Sequence, residues 1–154
     1  MKARQRTTRT SRPISPRLQR AYRATLYCVR VGRVALVIRI GEISAGLRAV
    51  LQAHNCRGFA FITAWNPGSR KLSRRENNLR HARLLGDLRR KRLRIYPGWG
   101  RSADGRWREK SVFVPGIRLR EAVALGSRYG QLMIVASSRF AAPRLVRCPS
   151  KPRR

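Results

Sequence analysis

Positive charge limits what this chain can fold into more than any other property of its sequence. Lys and Arg number 37 against 6 Asp and Glu, which gives a formal net charge of +31 at pH 7. Charge of this size favours disorder, yet 42% of the residues are hydrophobic, and that fraction is enough to form a core. We therefore expect one folded domain, of the size that 154 residues allow, with a large excess of surface cations.

Several classes of protein are excluded by the apolar segments and the cysteines. The longest apolar run, residues 58–65, has eight residues, whereas a membrane-spanning helix needs about 18. The basic start of the chain lacks the apolar stretch of a secretory signal. Three widely spaced cysteines form no Cys-x-x-Cys pair, so neither a zinc ribbon nor a disulfide scaffold is predicted. We expect a cytoplasmic protein with no membrane partner, no metal site and no cofactor.

Basic residues are densest at both ends of the chain and in one internal segment. Residues 1–23 hold eight basic residues and no acidic one, and residues 70–94 hold eleven. We divide the chain into a basic flexible arm (1–20), an α+β domain (21–147) and a basic tail (148–154). Arg outnumbers Lys 32 to 5, which fits bidentate contacts with phosphate and equally fits a GC-rich coding sequence.

Hydrophobic periodicity predicts an α+β domain with one mixed β-sheet and about three helices, mainly on one face. The predicted strands are residues 25–31, 33–40, 59–65, 94–96, 111–114, 132–135 and 144–147, and the predicted helices are residues 44–54, 73–91 and 118–129. The middle helix should bury a stripe formed by Leu79, Ala82, Leu85 and Leu88. Residues 97–100 should form a tight turn after their strand.

The start of the middle helix is a candidate anion site. Asn66-Pro67-Gly68-Ser69 is typical of a turn, and Ser73 with Glu76 matches a capping box. A helix N-terminus offers free backbone N–H groups to an anion, and cations surround this one. Solvated cations would give the same pattern. The candidate anion or nucleic-acid contacts are Arg70, Lys71, Arg74, Arg75, Arg80 and Arg83.

Polar and aromatic residues around the same turn are candidates for a pocket. They are Trp65, Asn66, Ser69, Glu76, Asn77, Trp107, Glu109, Ser111 and Gln131. Two glutamates in one pocket could divide acid and base roles. Glu76 is expected to serve the capping box instead, and carboxylates among so many arginines are expected to form salt bridges. Trp65 fits a core or pocket wall as well as a stacking platform. No catalytic motif is present, so we expect a binding protein and assign no catalytic residue.

A longer string of residues resembles a known family. Phe61-Ile-Thr-Ala-Trp65-Asn66-Pro67-Gly68-Ser69, followed by Glu76-Asn77 and Arg80, is similar to a bacterial family filed as domain of unknown function 3293. Further matches are Pro97-Gly98, Gly100, Trp107, Glu109, Ser111, Leu125-Gly126 and Tyr129-Gly130-Gln131. The resemblance covers roughly residues 20–147. It implies a fold unit and a cluster of polar positions, and no reaction.

These observations favour association with nucleic acid without sequence specificity, RNA more than duplex DNA. Neutralising phosphates releases condensed counterions, and this gives affinity without reading bases. The arms and the Arg70–Arg94 helix would supply the cations. The alternative is a ligand-binding or enzymatic pocket around residues 65–80 with Glu109 and Gln131, in which case the arginine surplus is compositional.

Overall fold

The computed structural model of the protein describes residues 13–150. These residues form an α+β domain of four α-helices and a seven-stranded sheet. The elements are α1 (Pro16–Ala24), β1 (Leu26–Val31), β2 (Val34–Ile38), α2 (Ala45–Ala53), β3 (Phe59–Ile62), α3 (Arg74–Arg90), β4 (Tyr96–Arg101), β5 (Arg108–Pro115), α4 (Leu119–Arg128), β6 (Met133–Ser137) and β7 (Arg144–Arg147). No helix in this range is long and apolar enough to cross a membrane.

All neighbouring strands of the sheet are antiparallel, so the prediction of a mixed sheet is wrong. The strand order is β2-β1-β4-β5-β3-β6-β7, and each of the six pairings is antiparallel. Helical connections suggested parallel neighbours, because a crossover helix usually returns the chain beside its starting strand. Here the connection through α3 passes over β5, and the connection through α4 passes over β3. The strands that these helices join are therefore never adjacent.

Helices cover both faces of the sheet, which corrects the expectation that they lie mainly on one. On one face, α3 and α4 pack over even-numbered residues of β3 and β5, such as Ile62 and Val112. On the other face, α2 buries Leu47, Val50 and Leu51 against the opposite side of the same strands. The predicted apolar pattern of α2 and its N-cap, Ser44, are both present.

Polar residues set the rotation of α3 about its axis, so the predicted apolar stripe is only partly correct. Leu88 is fully buried, but Leu79 is 54% exposed and Ala82 also faces solvent. Asn77 and Asp87 take the buried positions instead, beside Leu84. A polar side chain can be buried where it finds hydrogen-bond partners, and periodicity in hydrophobicity does not detect this case. The Ser73–Glu76 capping box forms as predicted.

Residues 97–100 belong to β4 instead of forming the predicted tight turn. Pro97 pairs only with Val112 of β5, because pairing with β1 begins at Gly98. Gly98 is required there: a Cβ would lie 2.8 Å from the Phe61 ring and 2.9 Å from the Cys28 carbonyl oxygen. This Gly-rich segment therefore serves close strand packing.

At both ends, the described structure continues beyond residues 21–147, which were predicted to form the domain. α1 starts at Pro16, within the predicted arm, because Ser15 caps the helix and Leu18, Ala21 and Tyr22 share one side. At the other end, Cys148 is buried, and its amide donates to the Leu132 carbonyl oxygen at 2.9 Å. The rest of the predicted arm and tail, residues 1–12 and 151–154, lies outside the described residues.

Candidate functional site

A cleft of about 1020 Å³ opens beside the sheet, bounded by α1, the β3–α3 loop and the β4–β5 loop. Its floor is apolar and includes Tyr27, Phe61 and Val135. The edge of the cleft carries polar and cationic side chains from the two loops. An apolar floor with polar groups around it is the usual construction of a ligand site.

Eight of the nine residues predicted to form a pocket line this cleft. They are Trp65, Asn66, Ser69, Asn77, Trp107, Glu109, Ser111 and Gln131. Glu76 does not: its carboxylate accepts from the amide and the hydroxyl of Ser73 in the capping box. These hydrogen bonds lower the pKa of Glu76, the hydroxyl contributing most. The two glutamates therefore do not share a pocket.

Asn66 is held rigidly at the mouth of the cleft. Its backbone is left-handed, with φ of 45°, and its amide N–H donates to Asn77 Oδ1 at 2.8 Å. Asn66 Oδ1 accepts from Asn77 Nδ2 and from the Leu72 amide, both at 2.9 Å. Because its oxygen and backbone are both occupied, the Asn66 side chain presents its Nδ2 group in one direction. That group donates to Glu109 Oε1 at 2.6 Å.

The loop that carries Asn66 is fixed from the side of the helices. Arg80 Nε donates to the Ala64 carbonyl oxygen at 2.7 Å, and Arg80 Nη2 donates to the Tyr129 carbonyl oxygen. Gln131 Nε2 donates to the Trp65 carbonyl oxygen at 2.9 Å. Arg80 was a candidate anion contact, but its guanidinium supports the loop backbone here. Among the predicted pocket residues, Gln131 also has this supporting role.

Glu109 is half-buried in the cleft wall and has only one polar partner in the described chain, Asn66. Within residues 13–150 it lies in no ion pair, contrary to the expectation of a salt bridge. Burial raises the pKa of Glu109, and the hydrogen bond from Asn66 opposes part of that effect. Glu109 pairs across the sheet with Gly100, so no side chain covers it from β4.

Five cations line the cleft, and we call them the cationic rim. They are Lys71, Arg74, Arg106, Arg108 and Lys110. Arg106 Nε lies 3.2 Å from Asp104 Oδ2, and Arg108 stacks 4.3 Å from the centre of the Trp99 ring. Lys71 and Arg74 are among the anion contacts predicted from the sequence, whereas the three cations on β5 and its loop are not. The remaining candidates, Arg70, Arg75 and Arg83, are exposed and do not line the cleft.

Aromatic side chains share the cleft with these cations. Trp107 is 41% exposed, and Tyr22 of α1 reaches across the cleft to place its hydroxyl 3.1 Å from Ser69 Oγ. The indole N–H of Trp65 is buried without an acceptor among the described residues. Tyr22 was missed because it follows directly on the segment assigned to the flexible arm.

Carboxylates neutralise few of the cations. Arg90 and Arg128 contact Asp87, Arg106 contacts Asp104, and Lys91 lies 3.8 Å from Glu121. With six acidic residues against 37 basic ones, the surplus stays on the surface. Exposed cations occur on every helix and on the β1–β2 hairpin, and they are densest on the outer face of α3, formed by Arg75, Leu79, Arg83, Arg89 and Arg90.

Histidine and cysteine side chains of the described region do not form a metal centre or a catalytic pair. No group of three metal-ligating side chains occurs in residues 13–150. His54 Nε2 lies 2.6 Å from the Tyr96 hydroxyl, and its Nδ1 lies 2.7 Å from the Val50 carbonyl oxygen. Burial raises the pKa of Cys148 to about 11, so its thiol stays protonated at neutral pH.

Comparison with known proteins identifies one family. Residues 62–134 match the model of a family described as "Protein of unknown function (DUF3293)", a shorter span than the predicted resemblance. A search of curated proteins and a search of solved structures found no match. The matched segment runs from β3 to the start of β6 and contains all eight predicted pocket residues that line the cleft. This segment of the chain is therefore similar to the DUF3293 family.

Proposed function

We propose that the protein binds single-stranded RNA without sequence specificity and that its cleft takes up an unpaired nucleotide. The observation that carries this proposal is the joint lining of one cleft by the cationic rim and by Trp65 and Trp107. A nucleotide combines a flat aromatic base with an anionic phosphate, so it matches both parts of this lining. The free cysteines suit a reducing cytoplasm, which we propose as the location.

Phosphate contacts would supply most of the affinity. Each phosphate that a Lys or Arg neutralises releases condensed counterions, and this gain does not depend on the base. Lys71 and Arg74 are exposed at the cleft and form no ion pair within the described residues. Arg75 and Arg83 continue the positive surface along the outer face of α3. A strand leaving the cleft would follow these side chains.

Base stacking favours a single strand over a duplex as the bound form of the nucleic acid. Bases in a duplex are already stacked and paired, whereas an unpaired base can turn into a cleft and stack on an aromatic ring. Trp107 offers its exposed face beside Arg106 and Arg108. Every base has such a face, so binding through stacking tolerates any sequence.

Fluorescence anisotropy with labelled oligouridylate across a salt series tests this function. We expect the slope of log affinity against log salt to be steeper than about −3, which corresponds to more than four phosphates on a single strand. Trp107→Ala should weaken binding about 5-fold or more, since stacking on one aromatic side chain contributes about 1–3 kcal/mol. A shallower slope, or a Trp107 variant that binds like the wild type, contradicts the proposal.

A matched pair of double variants separates the cleft from general surface charge. Lys71→Gln with Arg74→Gln removes two cations at the cleft, and Arg30→Gln with Arg33→Gln removes two exposed cations at the β1–β2 hairpin. We expect the first pair to make the salt slope shallower by about 1.4 and the second to leave it unchanged. Equal effects of both pairs would mean that binding is spread over the whole surface.

A small-molecule pocket is a second candidate, favoured by the hydrogen-bonded position of Glu109 in the cleft wall. In that case a free nucleotide or a similar anion would be the ligand itself. Competition distinguishes the two functions. A mononucleotide that displaces the oligomer at micromolar concentration favours the pocket, whereas displacement only by longer strands favours RNA binding.

A further inference from the structure

We infer that the cleft also cleaves the RNA it binds, with Glu109 as the general base that deprotonates a ribose 2′-hydroxyl. This inference rests on the proposed function, because it requires an RNA nucleotide in the cleft. The products would be a strand ending in a 2′,3′-cyclic phosphate and a strand beginning with a 5′-hydroxyl. Nothing in the sequence patterns pointed to this reaction.

The position of Glu109 is the first argument. It is the only carboxylate among the residues that line the cleft. Asn66 Nδ2 donates to its Oε1 at 2.6 Å, and its Oε2 has no hydrogen-bond partner in the described chain. One carboxylate oxygen is thus held in place while the other remains available to a proton on a bound ligand. A candidate base must have such reach before its acidity matters.

The surroundings of Glu109 are the second argument. Asp87, Asp104 and Glu121 each meet a cation, and the carboxylates without an ion pair among the described residues are Glu42, Glu76 and Glu109. Glu42 and Glu76 are exposed to water, whereas Glu109 is half-buried. Glu109 instead receives a neutral amide, itself fixed by Asn77, which is only 2% exposed. Burial without a neutralising partner favours proton uptake, which is a property of general bases in active sites.

The cationic rim supplies the electrostatic part of the reaction. Attack by the 2′-oxygen adds negative charge to the phosphoryl oxygens in the transition state. Lys71 and Arg74 line the same cleft and form no ion pair in the described part of the chain, so they are free to contact those oxygens. Cations that face developing charge lower the barrier more than they stabilise the bound substrate.

The steps balance without a further reactant except solvent water. Glu109 takes the proton of the 2′-hydroxyl, and the 2′-oxygen forms a bond to the adjacent phosphorus. The bond from phosphorus to the 5′-oxygen breaks, and the departing 5′-oxygen takes a proton from water. Glu109 then releases its proton to the hydroxide left in solution. No electrons are gained or lost.

The experiment uses the full chain and a single-stranded RNA labelled at its 5′ end, in parallel with a copy that has one ribonucleotide among deoxynucleotides and an all-deoxy copy. We expect cleavage of the first, cleavage of the second only after its ribonucleotide, and none of the third. Mass spectrometry should find a 2′,3′-cyclic phosphate on the product. Cleavage of the all-deoxy strand, or a product without the cyclic phosphate, would overturn the mechanism.

Glu109→Gln tests the residue itself. We expect cleavage to fall about 100-fold or more, the usual effect of losing a general base, while the affinity measured by anisotropy stays within about twofold. Glu42→Gln is the matched control, because Glu42 is exposed and does not line the cleft. Circular dichroism checks that each variant is folded, and the deoxy substrates test the mechanism without any variant.

The outcomes separate this inference from the proposed function. Binding of RNA that the wild type leaves intact overturns the nuclease inference and leaves RNA binding standing. Cleavage by Glu109→Gln at the wild-type rate overturns the role of Glu109. Absence of RNA binding overturns both.

Discussion

At the scale of single residues, Glu109 is the one half-buried carboxylate of the described residues that lies in no ion pair. Asp87, Asp104 and Glu121 each lie within 4 Å of a cationic nitrogen, whereas Glu109 faces a neutral amide. Burial of an ionisable carboxylate without a cationic partner disfavours its charged form. The folded domain therefore tolerates at this position a group that does not contribute to its stability at neutral pH.

The pH dependence of stability follows from the pKa of Glu109, which burial raises above its ordinary value. The folded state then holds this proton more tightly than the unfolded state, so stability falls as pH rises between the two pKa values. We predict that Glu109→Gln unfolds at a higher urea concentration than the wild type at pH 7. The difference should shrink as pH falls towards 4, because the wild-type carboxyl becomes increasingly protonated in both states.

Glu76 is the control, because folding shifts its pKa in the opposite direction to that of Glu109. Its hydrogen bonds with Ser73 lower its pKa, so its ionised form stabilises the folded state above its ordinary pKa. Glu76→Gln should therefore lose stability relative to the wild type as pH rises from 4 to 7. Urea titrations of both variants across this range measure the two trends, and parallel trends would contradict the argument.

At the scale of elements, one buried carboxylate joins α3 to the end of α4. Asp87 Oδ2 accepts from the Tyr129 hydroxyl at 2.6 Å and lies 3.5 Å from Arg128 Nε, while Oδ1 contacts Arg90. The hydrogen bond with Tyr129 is the main cause that lowers the pKa of Asp87. Burial and the same bond raise the pKa of Tyr129 to about 12. The two helices are thus joined by a bond that is shielded from water.

Loss of the Tyr129 hydroxyl should destabilise the domain more than loss of an exposed link between the same helices. We predict that Tyr129→Phe lowers the free energy of unfolding by about 1–3 kcal/mol, because a buried acceptor loses its donor. Lys91→Gln removes the pair between Lys91 and Glu121, whose side chains are 45% and 37% exposed. Lys91→Gln should lower the free energy of unfolding by less than about 1 kcal/mol. Chemical denaturation of both variants measures the two losses, and equal losses would contradict the greater weight given to the buried bond.

Two glycines of β4 differ in what surrounds them, and this difference gives a second prediction for an element. A Cβ at Gly98 would meet the Phe61 ring at 2.8 Å and a backbone oxygen at 2.9 Å, whereas one at Gly100 would meet Thr25 at 3.5 Å. We predict that Gly98→Ala destabilises the domain by about 1–3 kcal/mol through overpacking, and that Gly100→Ala is tolerated. Thermal unfolding of both variants measures the contrast. A tolerated Gly98→Ala would mean that β1, β3 and β4 pack less tightly here.

At the scale of the whole molecule, patterns among neighbouring residues predicted individual helices and strands. They did not predict features that depend on contacts between distant residues. The capping box, the β1–β2 hairpin and the α2 pattern depend on neighbouring residues, and all three are present. The rotation of α3 depends on partners for Asn77 and Asp87 that lie far along the chain. The antiparallel order depends on which strands lie between the ends of each crossover. The spacing of residues in one sequence shows neither the partners of a buried polar side chain nor the order of strands in the sheet.

The candidate site, too, was predicted only in part from the sequence. Nine pocket residues were predicted from turn chemistry and family resemblance, and one cleft brings eight of them together. The role of Arg80 as a support for the loop and the freedom of Glu109 from ion pairs required geometry. Tyr22 was missed because a short basic helix with three apolar positions resembles a disordered arm in composition. Its signal was the spacing of Leu18, Ala21 and Tyr22 after Ser15.

The net charge predicts how salt affects the domain as a whole. A charge of +31 on 154 residues makes the folded state repel itself, and unfolding relieves this repulsion by separating the charges. Salt screens charges over about 30 Å at 0.01 M and about 10 Å at 0.1 M. We predict that the midpoint of thermal unfolding rises as NaCl increases from 10 to 300 mM, while affinity for RNA falls over the same range. Calorimetry measures the midpoint of unfolding and anisotropy measures the affinity for RNA, both on one preparation. A midpoint that falls with salt would mean that the few ion pairs outweigh the repulsion among the arginines.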